Sequence, residues 1–428
     1  MRSAPLEFLF SLERFGMKFG LANMARLLDA LGHPEHAFAS VIVGGTNGKG
    51  SVTAMTETAL RAAGHRVARY TSPHLVRLEE RFVIDGREVD TSALDASAAR
   101  VQAAAEQLVA DGTLETLPTF FECATAIAFD LFRESAVSLA LLEVGLGGRL
   151  DATNIVSPIA AAIVSIDFDH QAQLGNTLSS IAAEKAGIVR HGIPVVCGQL
   201  PDEALAVIEE ICHREGARLI RSDRDVAIER GAHDTMTFVT PRLTVRDVRL
   251  ALAGVHQADN AAVALRLLDE LHDLGYTTDV EAVRAGLERT VWPARLEHFT
   301  IGGCRLLVDA AHNPAGARAL ASYLREHAPE GVTLVFGAMK DKAVVEMLEA
   351  LAPVATLTIC TTAPTPRAMA ADRIAELARP LHARVEVEPD PYDAVAGACN
   401  SSPSLVVVAG SIFLVGPIRE RLARDILR

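Results

Sequence analysis

The chain is poor in aromatic residues, 5% of 428 positions with a single tryptophan, and nowhere does it run through about 18 consecutive apolar residues. A membrane-spanning helix is therefore not expected. Cysteine is also sparse: Cys123, Cys197, Cys212, Cys304, Cys360 and Cys399 are scattered, with no C-x-x-C pair among them. Such spacing suits a reducing compartment better than a disulfide framework or a zinc site, so the cysteines are expected as mostly buried fillers. Positive charge is in deficit, and a formal net charge of −13 argues against a nucleic-acid or anionic-membrane partner. The stretch Met1–Phe10 is broken by Pro5 and Glu7 and has no signal-peptide core, so a cytoplasmic location is expected. Half of the residues are apolar, which supports real cores and, at this length, two domains.

Glycine is concentrated where it matters most. Val41-Ile42-Val43-Gly44-Gly45-Thr46-Asn47-Gly48-Lys49-Gly50-Ser51 reads as a buried strand, a glycine turn and a helix whose apolar Val52, Met55, Ala59 and Leu60 follow helical spacing until Gly64. Glycines let backbone N–H groups converge, the helix start adds partial positive charge, and Lys49 adds a full one. The expected guest is ATP or GTP. Against the pattern G-x-x-x-x-G-K-[ST], Val43 replaces the first glycine and Gly50 replaces the hydroxyl that normally helps hold Mg²⁺. The metal must therefore find ligands elsewhere.

Two near-continuous apolar runs, Val137–Val144 and Ile159–Ile166, look like parallel strands buried on both faces. The first carries Glu143 near its end, and the second leads into Asp167-Phe168-Asp169-His170. Strand C-termini in such sheets border the ligand crevice, where carboxylate oxygens suit Mg²⁺. Thr71-Ser72-Pro73-His74 follows another short strand, Arg66–Tyr70, on the same side. Glu143, buried without a partner, would be costly, so it is expected to be paired or metal-bound.

Other stretches admit two readings each. Thr119-Phe120-Phe121-Glu122 has the spelling of a capping box, and its adjacent aromatics are also suited to stack on a flat heterocycle. Gly145-Leu146-Gly147-Gly148-Arg149-Leu150-Asp151-Ala152 marks a close backbone passage, with Arg149 and Asp151 either reading a ligand or pairing with each other. Lys185 lies among apolar residues and alanines, so burial should lower its pKa and make it nucleophilic toward, for example, CO₂. Asn260, near the start of an amphipathic helix, fits a nucleotide contact or a cap. Residues 6 to 31 read as two helices joined by Gly16-Met17-Lys18-Phe19-Gly20, a substrate cover or a plain connection. Residues 219 to 249 read as an antiparallel edge of the first domain. After a boundary at Val291-Trp292-Pro293-Ala294-Arg295-Leu296-Glu297 the α/β pattern restarts, with strands near 305 to 308, 333 to 336, 357 to 361, 384 to 387 and 405 to 409. The expected architecture is α/β: a P-loop-containing, parallel-sheet ATPase domain over residues 1–290, a linker over 291–298, and a smaller Rossmann-like domain over 299–428.

These motifs, in this order, resemble the folylpolyglutamate synthase/dihydrofolate synthase family, a two-domain branch of the Mur ligase superfamily. The resemblance covers nearly the whole chain and is most specific at Gly45–Ser51, Thr71–Leu75, Leu142–Asn154, Asp169-His170, Glu184–Ile188, Trp292–Glu297 and Asp309–Pro314. It implies that Gly45, Thr46, Asn47, Gly48, Lys49, Gly50 and Ser51 cradle ATP, with Asn260, Arg295 and Asp309 as further contacts and Arg295 reaching the phosphates. It implies Ser72, Glu143 and His170 as Mg²⁺ ligands, with Lys185, carried as a carbamate, beside a second metal. Thr119, Phe120, Phe121 and Glu122 with Leu150, Asp151 and Ala152 are similar to pterin-pocket segments, and His312 and Ser411 to the glutamate side. The chain departs from the family at Lys18-Phe19-Gly20-Leu21-Ala22-Asn23, where Asp-Leu-Gly-Leu-Glu-Arg is frequent, and at Ala310, where glycine is frequent.

The implied reaction joins L-glutamate to dihydropteroate, to the γ-carboxyl of folates, or to both, through an acyl phosphate. Lys49, Arg295 and the metal would spread the transferred charge, with His170 a ligand rather than a base. Small-molecule substrates and a monomer are expected. A ligase acting on nucleotide-sugar peptides would need a further N-terminal domain, and only about 40 residues precede the cradle. A non-catalytic nucleotide switch would leave Glu143, His170 and Lys185 without a role. Whether dihydropteroate is a substrate is open at this point.

Overall fold

In the computed structural model, which describes residues 3–16, 20–401 and 405–426, the chain forms two compact units. The first comprises Met1–Ala251 and Asp259–Thr290, the second Leu252–Ala258 and Val291–Arg428. The second therefore takes in a short segment that ends in the first turn of the helix His256–Asp273. Residues 17–19, the middle of the Gly16–Gly20 connection, lie outside the described residues.

The first unit is built on eight strands: β1 (Ala39–Gly44), β2 (Val67–Tyr70), β3 (Phe82–Ile84), β4 (Arg87–Glu88), β5 (Leu139–Glu143), β6 (Ala160–Ile163), β7 (Pro194–Cys197) and β8 (Arg218–Arg221). Their order is β4-β3-β2-β5-β1-β6-β7-β8. β2, β5, β1, β6, β7 and β8 run parallel, and β3 and β4 form an antiparallel edge. The core strands β5 and β6 are buried at every residue, which explains why their sequences are continuous apolar runs rather than alternating ones. Each fully buried Val, Ile or Leu contributes roughly 1.5–3 kcal/mol, so a sheet of this kind anchors the unit. β1 lies between β5 and β6, and this central place sets the cradle at its end.

The helix Lys49–Ala62 that follows β1 is buried from Gly50 to Leu60. Its outer neighbour is the helix Val280–Glu288, and a Cβ at Gly286 would lie 2.7 Å from the Cβ of Ala59 and 2.8 Å from the Met55 carbonyl. Only glycine permits that approach. Among the described residues no helix is long and apolar enough to cross a membrane.

Residues 219 to 249 supply the antiparallel strands expected in the first domain, but as a sheet of their own. β8 closes the main sheet in parallel, and β9 (Ala227–Arg230), β10 (Met236–Val239) and β11 (Thr244–Val248) form a separate three-stranded antiparallel sheet around buried Phe238 and Val245. Four of the six cysteines are the buried fillers expected, and the other two are not. Cys123, Cys197, Cys212 and Cys360 are buried thiols, but Cys304 and Cys399 form a disulfide across a separation of 95 residues. Their Cα atoms are 5.4 Å apart, a proximity that no local spacing encodes.

The second unit carries β12 (Glu297–Ile301), β13 (Cys304–Val308), β14 (Val332–Phe336), β15 (Ala355–Cys360), β16 (Val385–Val387) and β17 (Val406–Ala409), in the order β12-β13-β17-β14-β15-β16. β12 pairs antiparallel and the remaining pairs are parallel. Leu320, Phe336, Met347 and Val407 sit at the centre of its core.

Candidate active site

Past β1 the cradle is sewn to the segment that follows β6. Thr46 N donates to the Ser165 carbonyl at 2.8 Å, Asn47 N to Ser165 Oγ at 2.9 Å, and the Thr46 hydroxyl exchanges hydrogen bonds with the backbone of Asp167 at 3.0 and 3.1 Å. Gly45 and Gly48 have φ of 143° and 82°, the positive range that glycine adopts without strain. A Cβ at Gly48 would stand 2.3 Å from Asn260 Oδ1 and 2.7 Å from Val164 Cγ1, so Asn260 lies directly against the turn. No side chain caps the helix that begins at Lys49, leaving its N-terminal amides suited to an anion. Lys49 Nζ folds onto the carbonyls of Gly45 and Thr46, at 3.2 and 3.1 Å, which holds the charge at the same mouth.

The proposed metal ligands come from neighbouring strand ends. Glu143 closes β5 in register with Val43, is 6% exposed, and its Oε2 accepts from Ser72 N at 3.2 Å. The structure thus brings Ser72 and Glu143 together. Asp169 Oδ1 accepts from His170 N at 2.9 Å, and His170, with φ of 51°, opens the short helix Gln171–Leu174 beyond β6.

Lys185 projects from the helix Leu178–Ala186 and is 5% exposed. Its Nζ donates to the Gly45 carbonyl at 2.9 Å. Burial first, and the like charge of Lys49 second, hold its pKa down to about 7. The expectation of a lowered lysine pKa is met with geometry to match. The glycine loop rests on the same helix, for a Cβ at Gly148 would fall 2.6 Å from the Lys185 carbonyl.

Arg149 and Asp151 do not pair with each other. Arg149 Nη2 reaches Glu184 at 2.8 Å, whereas buried Asp151 accepts from the amides of Gly145 and Leu146 through Oδ2, at 3.0 and 2.9 Å, and from Thr153 through Oδ1. Burial raises the Asp151 pKa against these hydrogen bonds. Asp151 therefore shapes the loop between half-buried Leu150 and buried Ala152. At the helix Phe120–Glu134 the capping box is formed, with Thr119 Oγ1 accepting from Glu122 N at 3.2 Å and Glu122 Oε2 from Thr119 N at 2.7 Å.

The aromatics at this helix mouth have neighbours that the sequence reading lacked. Phe10 lies 5.7 Å from Phe120 between ring centroids, and the Arg81 guanidinium stands 5.2 Å over the Phe120 ring while donating to His74 Nδ1 at 2.9 Å. Phe121 presses on Gly145, where a Cβ would lie 2.6 Å from its Cζ. Arg81 is a candidate substrate contact whose only sequence signal is an arginine in a short segment after a strand-end loop.

In the second unit Asp309 is nearly buried, and its oxygens accept from Leu296 N and Ala311 N, both at 2.9 Å. This braces a turn in which Ala294 and Leu296 have φ of 57° and 47°, with Arg295 half-buried between them. His312 Nδ1 meets the Ala310 carbonyl at 2.9 Å, which places a proton on Nδ1. Ser411 is buried, its Oγ accepting from Phe413 N at 3.1 Å at the start of the helix Ile412–Ile426. The candidate residues are thus divided between the units: Arg295, Asp309, His312 and Ser411 in the second, the others in the first.

A match to the family described as Mur ligase, glutamate ligase domain, over residues 294–412, gives the second unit the class of a Mur-type ligase. The particular branch follows from relatives aligned nearly end to end. Dihydrofolate synthase/folylpolyglutamate synthase of Bacillus subtilis is 34% identical over 418 residues, 96% of each chain. Among solved structures, Mycobacterium tuberculosis folylpolyglutamate synthase complexed with ADP and AMPPCP superposes with a TM-score of 0.90 at 30% identity, covering 98% of this chain and 99% of that one. Escherichia coli FolC in complex with DHPP and ADP gives 0.88 at 31% identity and 99% coverage of both. The chain belongs to the folylpolyglutamate synthase/dihydrofolate synthase family.

Proposed function

We propose that this enzyme uses ATP to join L-glutamate to dihydropteroate and to the γ-carboxyl of reduced folates. The observation that carries the reading is the end-to-end likeness to a relative bearing both names, dihydrofolate synthase and folylpolyglutamate synthase. A carboxylate is a poor acyl donor, because its charge repels nucleophiles and oxide is its leaving group. Phosphorylation removes both obstacles. The substrate carboxylate oxygen attacks the γ-phosphorus of ATP, the bond to the β-phosphate oxygen breaks, and ADP departs. The amine nitrogen of L-glutamate then attacks the acyl carbon, phosphate leaves, and the nitrogen loses a proton.

The protein's part is positioning and charge. The amides of Gly45–Ser51 and the Lys49 ammonium take the phosphates, with Asn260 bracing the turn against which it packs. Arg295 and Asp309 serve the nucleotide, with Asp309 acting through the Arg295 turn that it braces. Phe120 and Phe121, set by the Thr119/Glu122 capping box and the Leu150–Ala152 loop, offer flat faces to the pterin. His312 and Ser411 serve the glutamate side.

Ser72 and Glu143 suit Mg²⁺, since a nearly buried carboxylate beside a serine offers the oxygens that ion takes, and His170 would complete the set. When bound, Mg²⁺ neutralises phosphate charge. Lys185 would hold a second ion as a carbamate: its neutral amine attacks CO₂, the C–N bond forms as one C=O π pair moves onto oxygen, and a proton leaves the nitrogen for solvent. The carbamate nitrogen keeps one N–H for the Gly45 carbonyl, and the group beside Lys49 changes from a repelling cation to an attracting anion.

The test is ADP release with L-glutamate and either dihydropteroate or a reduced folate. Release with both is expected; release with the folate alone would remove the dihydrofolate synthase half.

A further inference from the structure

Far from the cradle, the corner between the helix Ala22–Ala30 and β1 holds a cluster for which the ligase reaction has no use. We infer that His33, Glu35 and His36 form a binding site for a first-row divalent metal ion, zinc in the first instance. One ligand atom from each, a ring nitrogen of either histidine and a carboxylate oxygen of Glu35, lie within 4.8 Å of one another. The separation of His33 Nδ1 from Glu35 Oε1 is 3.0 Å and that of His36 Nε2 from the same oxygen 3.5 Å. Ligands about 2.0–2.1 Å from a tetrahedral zinc stand roughly 3.3 Å apart, so these two separations suit that ion, which would take the place of the proton now shared between His33 Nδ1 and Glu35.

The local backbone explains the convergence. Past the end of the helix Ala22–Ala30, Gly32 has φ of 73°, and His33 follows at φ of 53° while its amide donates back to the Leu28 carbonyl at 2.8 Å. Pro34 then opens the single turn Pro34–His36, which brings His36 back over His33. The two imidazoles are nearly parallel, 16° apart, with centroids separated by 5.0 Å.

Two further observations point to a cation. Glu35 is 9% exposed, and its Oε2 is buried with no hydrogen-bond partner among the described residues. A carboxylate in that position is costly unless a positive charge offsets it. Asp29 Oδ1 lies 3.3 Å from His33 Nε2, the ring nitrogen turned away from the cluster. That is the carboxylate–histidine relay that orients metal-bound imidazoles and fixes the proton on the far nitrogen. The side chains of His33 and His36 are 47% and 73% exposed, so an ion has access from solvent and water can complete its shell.

Two imidazoles and a carboxylate favour zinc or its first-row neighbours over Mg²⁺. β1 separates the corner from the cradle by roughly 20 Å at about 3.3 Å per residue, so the ion's role is to lock the corner rather than to touch substrate.

Metal-stripped, full-length protein titrated with Zn²⁺, and with Co²⁺ as a spectroscopic stand-in, tests the site. Wild type is expected to bind one equivalent more than the His33→Ala/His36→Ala double variant, with a visible Co²⁺ spectrum that the variant lacks. Asp29→Asn should weaken that equivalent by about tenfold or more. Zn²⁺ should raise the Tm of wild type and not that of the double variant, whose ADP release stays at the wild-type rate and reports an intact fold. Equal zinc stoichiometry and affinity in wild type and double variant would overturn the site, as would binding by wild type only at millimolar zinc.

Discussion

Lys185 reaches back across 140 residues of sequence to place its Nζ 2.9 Å from the carbonyl of Gly45, the residue that begins the phosphate turn. The contact ties a lysine with a pKa of about 7 to the geometry of the cradle. Lys185→Ala should lower turnover by about a hundredfold or more, the scale of losing one preorganised charge. Added short carboxylates should restore part of it, and labelled bicarbonate should mark wild type but not the variant. Full turnover in the unrescued variant would remove the carbamate from the mechanism.

The same residue has a pH signature in CO₂-free buffer. The unfolded lysine titrates near 10.5 and the folded one near 7, so between those values the unfolded chain binds the extra proton. Its stability cost is complete below pH 7 and shrinks as pH rises toward 10.5. Wild type should therefore gain urea resistance relative to Lys185→Met between pH 7 and pH 10. A constant difference across that range would contradict the burial.

Glu143→Gln keeps an oxygen for the Ser72 amide but loses the charge. The fold should be retained, while the Mg²⁺ concentration giving half-maximal ADP release rises by about tenfold or more. An unchanged Mg²⁺ requirement would assign Glu143 a purely structural part.

Gly48→Ala meets two obstacles, a positive φ and an Asn260 Oδ1 only 2.3 Å from the new Cβ. A loss of about 1–3 kcal/mol in stability is expected, together with weaker ATP binding. Asn260→Gly in that background should recover part of the loss, and Val164 the reason recovery is incomplete. Urea melts and nucleotide titration of the two variants check both statements.

Asp309→Ala leaves the amides of Leu296 and Ala311 without their acceptor, at about 1–3 kcal/mol for each buried group. Asp309→Asn keeps one acceptor and should lose about half as much. If instead both variants unfold like wild type and only the KM for ATP rises, Asp309 is a nucleotide contact rather than a brace.

Legibility followed burial. β1, β5 and β6 are covered on both faces, so their apolar runs identify them without a partner in view. The edge strand β12 alternates Glu297, His298, Phe299, Thr300 and Ile301, and merged with the linker because half of it faces water. The cradle was readable because its glycines and lysine work within a few residues of one another. Arg81 over Phe120 was not, because the pairing joins segments 39 positions apart and neither carries a local pattern.

The sequence by itself determined the class of chemistry, since a strand, a glycine turn and Lys49 demand a phosphate, and acids at strand ends demand a metal or a partner. Only the tertiary structure decided which groups are committed elsewhere. Asp151 holds amides of its own loop, Arg149 goes to Glu184, Ser411 caps a helix, and Cys304 finds Cys399. The reason is physical: a side chain's local neighbours fix its backbone state, whereas its hydrogen-bond partners and its desolvation depend on what distant segments bring to it. Lys185 shows both halves, a lysine whose apolar surroundings are written in its helix and whose low pKa and grip on Gly45 exist only once the sheet is assembled.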